Sequence, residues 1–433
     1  PRFEMTRYTR TIDYDAKTSS EQITRRQGNY PPQGGGGTPI QGEQQQHFLV
    51  SGTSAWNMQG TTANPVPAAA ELRQLDILLT PHGFIKAALA ANPTAVSRTV
   101  GGRKATVVSF TALGKYKVNG TFNDQNLLEL VQTWAPNPVL CDMLYETRYT
   151  EYKDFAGVKF PTVLHSHQGD VRLNQGHNFM EVRVSSVQPN ATVAALAVPD
   201  NVRQASAPAV RVESQKLADG TWLVAGGSHN SVALEFRDFV TVIEAPLNEE
   251  RSLAVIAEVQ KLVPNKPIRY LVNTHHHFDH SGGLRTYVAE GATIITHQGN
   301  REFYDQVVFH PSVRTIQPDR LSLAPRAPAF ETTSQKYVVS DGVRSLEVYT
   351  VQGLGHSQGM LIAYLPKEKM LVNADLYSPP AQGAQPPATP TAGSVVLNQN
   401  IQRLKLDVAQ HVPIHGRVGT MEEFTKIVGA PRN

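Results

Sequence analysis

Residues 273–283 form the most informative segment of the chain and read Asn273-Thr274-His275-His276-His277-Phe278-Asp279-His280-Ser281-Gly282-Gly283. The segment follows a predicted buried strand at residues 268–272 and precedes a predicted helix, so a rigid element carries its side chains toward solvent. On an extended chain the side chains of His275 and His277 point the same way. Asp279 and His280 fall on the turn into the helix and can face a second point nearby.

The side chains of this segment favour a bound metal ion. Unpaired imidazoles are costly to bury and protonated ones repel one another, and a cation removes both difficulties. His276 is expected to face away from the ion, as a packed or supporting residue. Gly282 and Gly283 lack a Cβ, which allows the backbone to pack tightly directly after the histidines.

Length and composition limit the class of protein. A chain of 433 residues suggests two domains, and no stretch is apolar for long enough to predict a transmembrane helix. The net charge of +3 is too weak to favour a nucleic-acid partner. Cys141 is the only cysteine, which excludes an intrachain disulfide and a thiolate-rich zinc site. Metal ligands must therefore be His and carboxylate side chains.

The first residue of the sequence bears on the expected cellular location. The sequence begins at Pro1 without a Met, and a cleaved secretion signal would explain this start. We expect a periplasmic or secreted protein, with a cytoplasmic one as the alternative.

Hydrophobic patterning divides the chain into three parts. Residues 1–45 are polar, include the Gly34–Gly37 run, and are predicted to form an extended N-terminal arm. Residues 46–208 are predicted to form an α+β domain dominated by antiparallel strands. Within it the pattern predicts strands at residues 105–113 and 180–187. It predicts one helix, at residues 124–134.

Residues 209–433 show a different pattern, beyond a boundary rich in Pro, Ala and Ser. Strands alternate with helices and hairpins, which predicts two packed sheets with helices outside. The predicted strands are residues 231–236, 239–243, 268–272, 292–296, 346–351, 360–365 and 370–374, and the main predicted helix is 248–263.

The segment His275-x-His277-x-Asp279-His280 resembles the His-x-His-x-Asp-His signature of the metallo-β-lactamase superfamily. The resemblance covers about residue 212 to the C-terminus. It implies an αββα sandwich with a site of two metal ions along its edge.

The resemblance also implies the remaining ligands, in the order His, Asp, His. They match Gly355-His356-Ser357, Asn373-Ala374-Asp375 and Ile414-His415-Gly416. By this match His275, His277 and His356 hold one metal. Asp279, His280 and His415 hold the second, and Asp375 is shared.

The resemblance implies a dizinc hydrolase that acts on a small-molecule carbonyl substrate: an ester, thioester, lactone or β-lactam. A metal-bound hydroxide would be the nucleophile, with Asp279 as the base that accepts the proton of the bridging water. Because Asp375 stands where many β-lactamases of the superfamily have Cys or another residue, the site is more similar to the lactonase and thioesterase branches. The ligands suit Zn²⁺, with Mn²⁺ or Fe²⁺ as alternatives.

Two other functions stay open. One is a phosphodiesterase or nuclease of the same superfamily, against which the lack of basic bias argues. The other is a ligand-binding protein with a structural metal, against which the large number of ligands argues, because structural zinc sites are closed by four.

Several further residues are weaker candidates. His229, in a turn predicted to overhang the site, and Tyr377 are candidate substrate contacts. Glu244 is predicted to support the histidine segment. Residues 378–393, rich in Pro, Ala and Gln, form a linker or a mobile lid.

The N-terminal half carries no chemical signature. His165-Ser166-His167 and the nearby His177 are predicted to be strand histidines, because no acidic partner follows at the family spacing. The half is similar, at the level of the fold, to periplasmic lipoprotein-carrier domains, which are curved sheets with an apolar inner face. It could bind an apolar ligand, add a wall to the active site or mediate contacts in a homo-oligomer.

Overall fold

The computed structural model describes residues 3–29, 42–173, 176–309, 314–353, 356–385, 387 and 389–429. The Gly34–Gly37 run lies outside the described residues. Contacts divide the chain into an N-terminal unit that ends at Ala209 and a C-terminal unit that begins at Val210.

The N-terminal unit begins with a five-stranded antiparallel sheet in which each strand pairs with the next along the chain. Asp13 organises the first hairpin, because its Oδ1 accepts the backbone N–H groups of Asp15 and Ala16 at 3.0 and 2.9 Å. The strands are β1 (Phe3–Asp13), β2 (Thr18–Gln27), β3 (Glu43–Ser51), β4 (Ser54–Gln59) and β5 (Thr62–Pro65).

The prediction of an extended arm over residues 1–45 is therefore wrong for the described part of that range. Strands β1 and β2 pair with each other in the sheet. All nine residues of β3, from Glu43 onward, pair with β2. Most side chains of β1 and β2 are exposed or half-buried. Backbone pairing, more than burial of an apolar face, thus holds these strands in the sheet.

A seven-stranded antiparallel sheet follows, again with each strand beside its neighbour in the chain. Phe84, fully buried, packs its ring 5.2 Å from that of Phe110 on this sheet. The strands are β6 (Thr94–Val100), β7 (Arg103–Ala112), β8 (Tyr116–Phe122), β9 (Leu128–Asn137), β10 (Cys141–Phe155), β11 (Val158–Gln168) and β12 (His177–Arg183). The helices of the unit are α1 (Ala70–Leu79), α2 (Pro81–Ala90) and α3 (Asp200–Arg203), with 3-10 turns at Pro67–Ala69 and Val171–Leu173.

The structure corrects the prediction of a helix at residues 124–134. Asn123 instead holds a turn by accepting the N–H of Leu127, and β9 then pairs with strands on both sides. Leu128 and Val131 are buried, at a spacing that also fits one face of a helix, so the pattern was ambiguous. The strand predicted at residues 105–113 is confirmed, whereas the one predicted at 180–187 begins and ends earlier, as β12.

The first sheet of the C-terminal unit has seven strands in chain order, antiparallel from β13 to β16 and parallel from β16 to β19. The strands are β13 (Glu213–Ala218), β14 (Thr221–Gly226), β15 (His229–Glu235), β16 (Val240–Ile243), β17 (Ile268–Val272), β18 (Thr293–His297) and β19 (Ala329–Thr333). The helices are α4 (Glu249–Leu262), α5 (Phe278–Ser281), α6 (Leu284–Ala289), α7 (Arg301–Phe303) and α8 (Arg320–Leu323), with a 3-10 turn at Gln298–Asn300 and a π-helical turn at Tyr304–Val308.

The second sheet has six strands in chain order, with one parallel pair, β23 and β24. The strands are β20 (Lys336–Ser340), β21 (Ser345–Thr350), β22 (Leu361–Leu365), β23 (Met370–Asn373), β24 (Gln410–Pro413) and β25 (Gly419–Thr420). The helices are α9 (Ala392–Leu404) and α10 (Met421–Val428).

One apolar core joins the two sheets of this unit. Val232 and Ile243 of the first sheet belong to the same buried cluster as Val348 and Val372 of the second, together with Leu397 of α9. Helices α4 and α6 contact the first sheet at β14 and β18. The predicted αββα sandwich is confirmed, as are the predicted strands and the helix of this unit, with ends shifted by a few residues.

Among the helices of the described residues, none combines the length and apolar character needed to cross a membrane.

Candidate metal centre

Backbone hydrogen bonds fix the start of the histidine loop, residues 273–283, to both sheets. The N–H of Asn273 donates to the carbonyl of Ile295 on β18 at 3.0 Å, and the N–H of Leu361 on β22 donates to the carbonyl of Thr274 at 2.8 Å. Tyr304 donates its hydroxyl to the side-chain oxygen of Asn273. The first residues of the loop are therefore held by strands that belong to the core.

The predicted role of the glycine pair is confirmed. A Cβ on Gly282 would lie 1.9 Å from the carbonyl oxygen of Leu247, and a Cβ on Gly283 would lie 1.9 Å from the hydroxyl of Ser252. The N–H of Gly283 also donates to the carbonyl of Ala245 at 2.9 Å. The turn after the histidines can pack this closely only because both residues lack a side chain.

Three histidines and one aspartate form a first group of side chains that could hold a metal ion: His275, His277, His356 and Asp375. His277 Nδ1 lies 2.9 Å from His275 Nε2 and 2.8 Å from His356 Nε2. Asp375 Oδ2 lies 3.1 Å from His275 Nε2 and 3.0 Å from His356 Nε2. The structure thus brings together residues from the histidine loop, the β21–β22 connection and the end of β23.

A second group contains the three remaining predicted ligands and one further histidine: Asp279, His280, His415 and His229. His415 Nε2 lies 3.2 Å from His280 Nε2. Asp279 Oδ2 lies 3.6 Å from His280 Nε2 and 3.4 Å from His229 Nε2. His229, predicted as a contact for substrate, therefore lies within the second group.

Asp375 connects the two groups. Besides its contacts with the first group, its Oδ2 lies 3.1 Å from His280 Nε2 and its Oδ1 lies 2.9 Å from His415 Nε2. The residue has a left-handed backbone, with φ of 57°. A non-glycine residue in this conformation is uncommon, and the surrounding structure must hold it there.

Most of these histidines have a hydrogen-bond partner on the ring nitrogen that faces away from the groups. His280 Nδ1 donates to Glu244 Oε2 at 2.7 Å, and His415 Nδ1 donates to the carbonyl of Ser228 at 3.0 Å. His275 Nδ1 lies 3.0 Å from the hydroxyl of Thr274. Such partners fix the tautomer and leave the opposite nitrogen free for a cation.

Glu244 has the supporting position that was predicted for it. The residue is fully buried at the end of β16, with φ of 75°. One carboxylate oxygen accepts the bond from His280, and the other accepts the backbone N–H of Thr274 at 2.7 Å. Glu244 thus orients one histidine and the start of the loop at the same time.

Burial favours neutral imidazoles in the first group. Burial lowers the pKa of His275 to about 3 and that of His277 to about 4. Burial opposes ionisation of Asp375, but hydrogen bonds with four histidines outweigh it and hold the pKa of Asp375 well below its usual range. At neutral pH His275 and His277 therefore offer neutral nitrogens and Asp375 offers a carboxylate, the protonation states that metal binding requires.

His280 shows that the centre stabilises positive charge. Burial lowers its pKa, but the negative charge of Glu244 and the bonds to Glu244 and Asp375 outweigh this effect and raise the pKa of His280 to about 10. A divalent cation can supply the same positive charge in place of the proton. The donor set therefore fits a metal ion.

Two predicted residues lie outside both groups. The Nδ1 of His276 is 3.2 Å from the side-chain oxygen of Asn300, so its ring faces away from the groups as predicted. Tyr377 is only 4% exposed and packs against His411 and Phe424 in the core. This burial in the core argues against the predicted contact between Tyr377 and substrate.

The three histidines of the N-terminal unit that were predicted to lie on strands do so. His165 and His167 are on the same face of β11, with ring centroids 4.3 Å apart, and His177 begins β12. Within the described residues, the groups that could hold a metal are the two in the C-terminal unit.

Three supporting residues were missed by sequence reasoning. Ser228, Thr274 and Arg251 contact the histidines or their backbone, and each is an ordinary residue type whose role depends on neighbours far along the chain. The one available signal was the position of Ser228 and Thr274 directly before a histidine.

A comparison with known protein families finds one match, within the C-terminal unit. Residues 224–408 match the family model described as the metallo-beta-lactamase superfamily. The matched range contains His229, the histidine loop, His356 and Asp375, and His415 lies beyond it. The predicted resemblance of the C-terminal half to this superfamily is confirmed.

Solved structures similar to the chain include three metallo-beta-lactamases. The one from Pontibacter korlensis is 16% identical, with 50% of this chain and 97% of that chain covered and a TM-score of 0.39. The one from Hirschia baltica is 16% identical, with 50% of this chain and 95% of that chain covered and a TM-score of 0.38. FIM-1 from Pseudomonas aeruginosa in the mono-zinc form is 18% identical, with 51% of this chain and 95% of that chain covered and a TM-score of 0.37. No curated protein matches the chain.

Residues 224–408 thus match the metallo-beta-lactamase superfamily, and the C-terminal unit carries two groups of side chains that could hold metal ions.

Proposed function

We propose that the C-terminal unit is a hydrolase that holds two zinc ions and cleaves a carbonyl substrate: an ester, thioester, lactone or β-lactam. The observation that carries this proposal is the position of Asp375, whose two oxygens lie within 3.1 Å of histidines from both groups. A carboxylate in this position is suited to bridge two cations. A single closed structural zinc site does not need a bridging carboxylate.

The spacing of the donor atoms supports the proposal. Ligands about 2.0–2.1 Å from one ion, at tetrahedral angles, lie about 3.3–3.4 Å apart. The contacts within the two groups span 2.8–3.6 Å, close to this value. The donors are imidazole nitrogens and carboxylate oxygens, which suit Zn²⁺, with Mn²⁺ or Fe²⁺ as alternatives. In this reading Asp375 is shared between an ion held by His275, His277 and His356 and a second held by Asp279, His280 and His415.

When bound, two such cations would lower the pKa of a metal-bound water toward about 7 and would stabilise negative charge on the substrate oxygen. The protein supplies the orientation. Asp375, fixed between the groups, sets their spacing, and Glu244 accepts the Nδ1 proton of His280, so that Nε2 would bind a cation once its own proton is displaced.

Asp279 is the group of the chain best placed to handle the proton. Burial opposes its ionisation, but the hydrogen bond with His229 and the charge of His280 outweigh this and lower the pKa of Asp279 below its usual range. Its side chain is 51% exposed, so it can pass a proton to solvent. A carboxylate with so low a pKa retains a proton only briefly, and Asp279 therefore acts as an orienting acceptor and relay.

Carbonyl chemistry is favoured over phosphoryl chemistry by the charges near the centre. Arg251 is a buried arginine beside the centre. It donates to the backbone carbonyls of Val224, Gly226 and His229, so these bonds direct its guanidinium to the backbone and not toward a substrate phosphate. The net charge of the chain, +3, adds no basic bias.

A panel of chromogenic ester, thioester, lactone, cephalosporin and phosphodiester substrates tests the proposal. We expect turnover of at least one carbonyl substrate, and we expect His277→Ala to abolish it and to lower the metal content. His276→Ala is the matched control, because it removes the neighbouring histidine outside both groups and is expected to retain activity. Turnover of the phosphodiester alone, or full activity of His277→Ala, would contradict the proposal.

A further inference from the structure

His229 occupies a buried position against the second group of side chains. It is the first residue of β15 and is 4% exposed. Its ring centroid lies 4.1 Å from that of His415 and 5.3 Å from that of His280. Within the described residues the side-chain partner of His229 Nε2 is Asp279 Oδ2 at 3.4 Å, which is long for a hydrogen bond.

We infer that His229 is a ligand of the second metal ion, in addition to Asp279, His280 and His415. The inference rests on the proposed function, because it requires that the second group holds a cation. The separation of 3.4 Å between His229 Nε2 and Asp279 Oδ2 is poor for a hydrogen bond, but two ligands of one ion lie about 3.3–3.4 Å apart.

The opposite ring nitrogen of His229 has the same kind of partner as in the other histidines. Its Nδ1 lies 2.8 Å from the hydroxyl of Ser228. In the tautomer that donates its Nδ1 proton to Ser228, Nε2 is unprotonated and available to a cation, in place of the proton that forms the long hydrogen bond with Asp279 when no cation is bound. The same Ser228 accepts the Nδ1 proton of His415 through its carbonyl oxygen. One residue thus orients two histidines of the second group.

The backbone around His229 is fixed more firmly than a hairpin turn requires. Arg251, only 2% exposed, donates to the carbonyl of His229 at 3.0 Å. The side chain of Asn230 donates to the carbonyls of Pro413 and Gly416 at 3.0 and 2.8 Å, on both sides of His415. These bonds tie the backbone at His229 to Arg251 of α4 and to the chain on both sides of His415.

The consequence is an asymmetric pair of sites. The first ion would have three histidines and Asp375, whereas the second would have three histidines, Asp279 and Asp375. Five side-chain donors exceed the four of a closed zinc site, so the second site suits a cation that accepts five or six ligands.

Cobalt substitution of the full chain tests the inference without relying on activity. With both sites loaded with Co²⁺, each ligated imidazole gives one hyperfine-shifted N–H proton signal in NMR spectra. We expect signals from three histidines in each group, six in all, and not five. His229→Gln and His229→Ala are expected to show one signal fewer when Co²⁺ is in excess. Their second Co²⁺ is expected to bind more than about 100-fold more weakly.

The controls separate the alternatives. A residue that only supports a ligand costs about 10–100-fold in affinity and leaves the number of ligated histidines unchanged. His276→Ala is expected to keep both ions and all the signals, and far-UV circular dichroism checks that each variant is folded. Two bound ions with five signals in the wild type overturn this inference alone. Fewer than two ions in the wild type overturn the dimetal function and the inference with it.

Discussion

Replacing Glu244 by Gln removes one negative charge at the centre and almost no volume. In the structure one oxygen of Glu244 accepts the Nδ1 proton of His280 and the other accepts the backbone N–H of Thr274, both at 2.7 Å. A glutamine amide can accept only one of these bonds. If its NH₂ group faces His280, Nδ1 must become the acceptor and the proton moves to Nε2, which can then no longer bind a cation. If the amide has the opposite orientation, its NH₂ group faces the backbone N–H of Thr274, and two donors then face each other without an acceptor.

The expected cost follows from the contacts that are lost. A hydrogen bond to a charged group contributes about 1.5–3 kcal/mol. Loss of a group that orients a ligand weakens metal affinity about 10–100-fold, which corresponds to about 1.4–2.7 kcal/mol. Because Glu244 is fully buried, solvent does not screen the lost charge. We therefore expect the second ion to bind Glu244→Gln about 10–100-fold more weakly than the wild type.

Competition with a chromophoric chelator measures this affinity directly. Glu347→Gln is a matched control, because Glu347 pairs with Lys336 on the second sheet, at 2.9 Å, and contacts neither group. The control is expected to bind both ions as the wild type does. A Glu244→Gln variant with unchanged affinity for both ions would refute the orienting role of Glu244.

Three further predictions use other parts of the centre. Gly283→Ala places a Cβ 1.9 Å from the hydroxyl of Ser252, so urea unfolding should show a loss of about 1–3 kcal/mol, and an unchanged midpoint contradicts the close packing. Since the pKa of His280 is raised to about 10 without metal, His280 carries a proton at pH 7.5 that Zn²⁺ must displace. The calorimetric enthalpy of Zn²⁺ binding should then depend on the ionisation enthalpy of the buffer. This dependence should weaken as the pH rises through about 10, and its absence would argue against displacement of the His280 proton. Tyr377→Phe removes a buried hydroxyl without a hydrogen-bond partner in the described structure, so kcat and KM should stay within about twofold; a large rise in KM would restore Tyr377 as a substrate contact.

The two candidate metal groups were largely predictable because their signals are local. His275, His277, Asp279 and His280 lie within six residues that follow a buried strand and enter helix α5, and the glycine pair after them accounts for the tight packing. The buried strands of the sandwich were also recognisable, since strands such as β16 and β22 are apolar along their length.

The remaining errors came from features that depend on partners distant in sequence. Strands β1 and β2 are polar on both faces, so hydrophobic alternation could not reveal them. In β9, the spacing of Leu128 and Val131 fitted a helix, and only the pairing with β8 and β10 decides for a strand. The position of His229 in the second group depends on Arg251 and Asn230, which tie its turn to α4 and to the chain around His415.

The central claim is that Asp375 lies between two cations. An anomalous difference map from crystals grown with Zn²⁺, with data collected at the zinc edge, tests it most directly. The account predicts two strong peaks, one on each side of the Asp375 carboxylate, the first bonded to His275, His277 and His356 and the second to His280 and His415. A single peak enclosed by four protein ligands, or peaks away from Asp375, would contradict it.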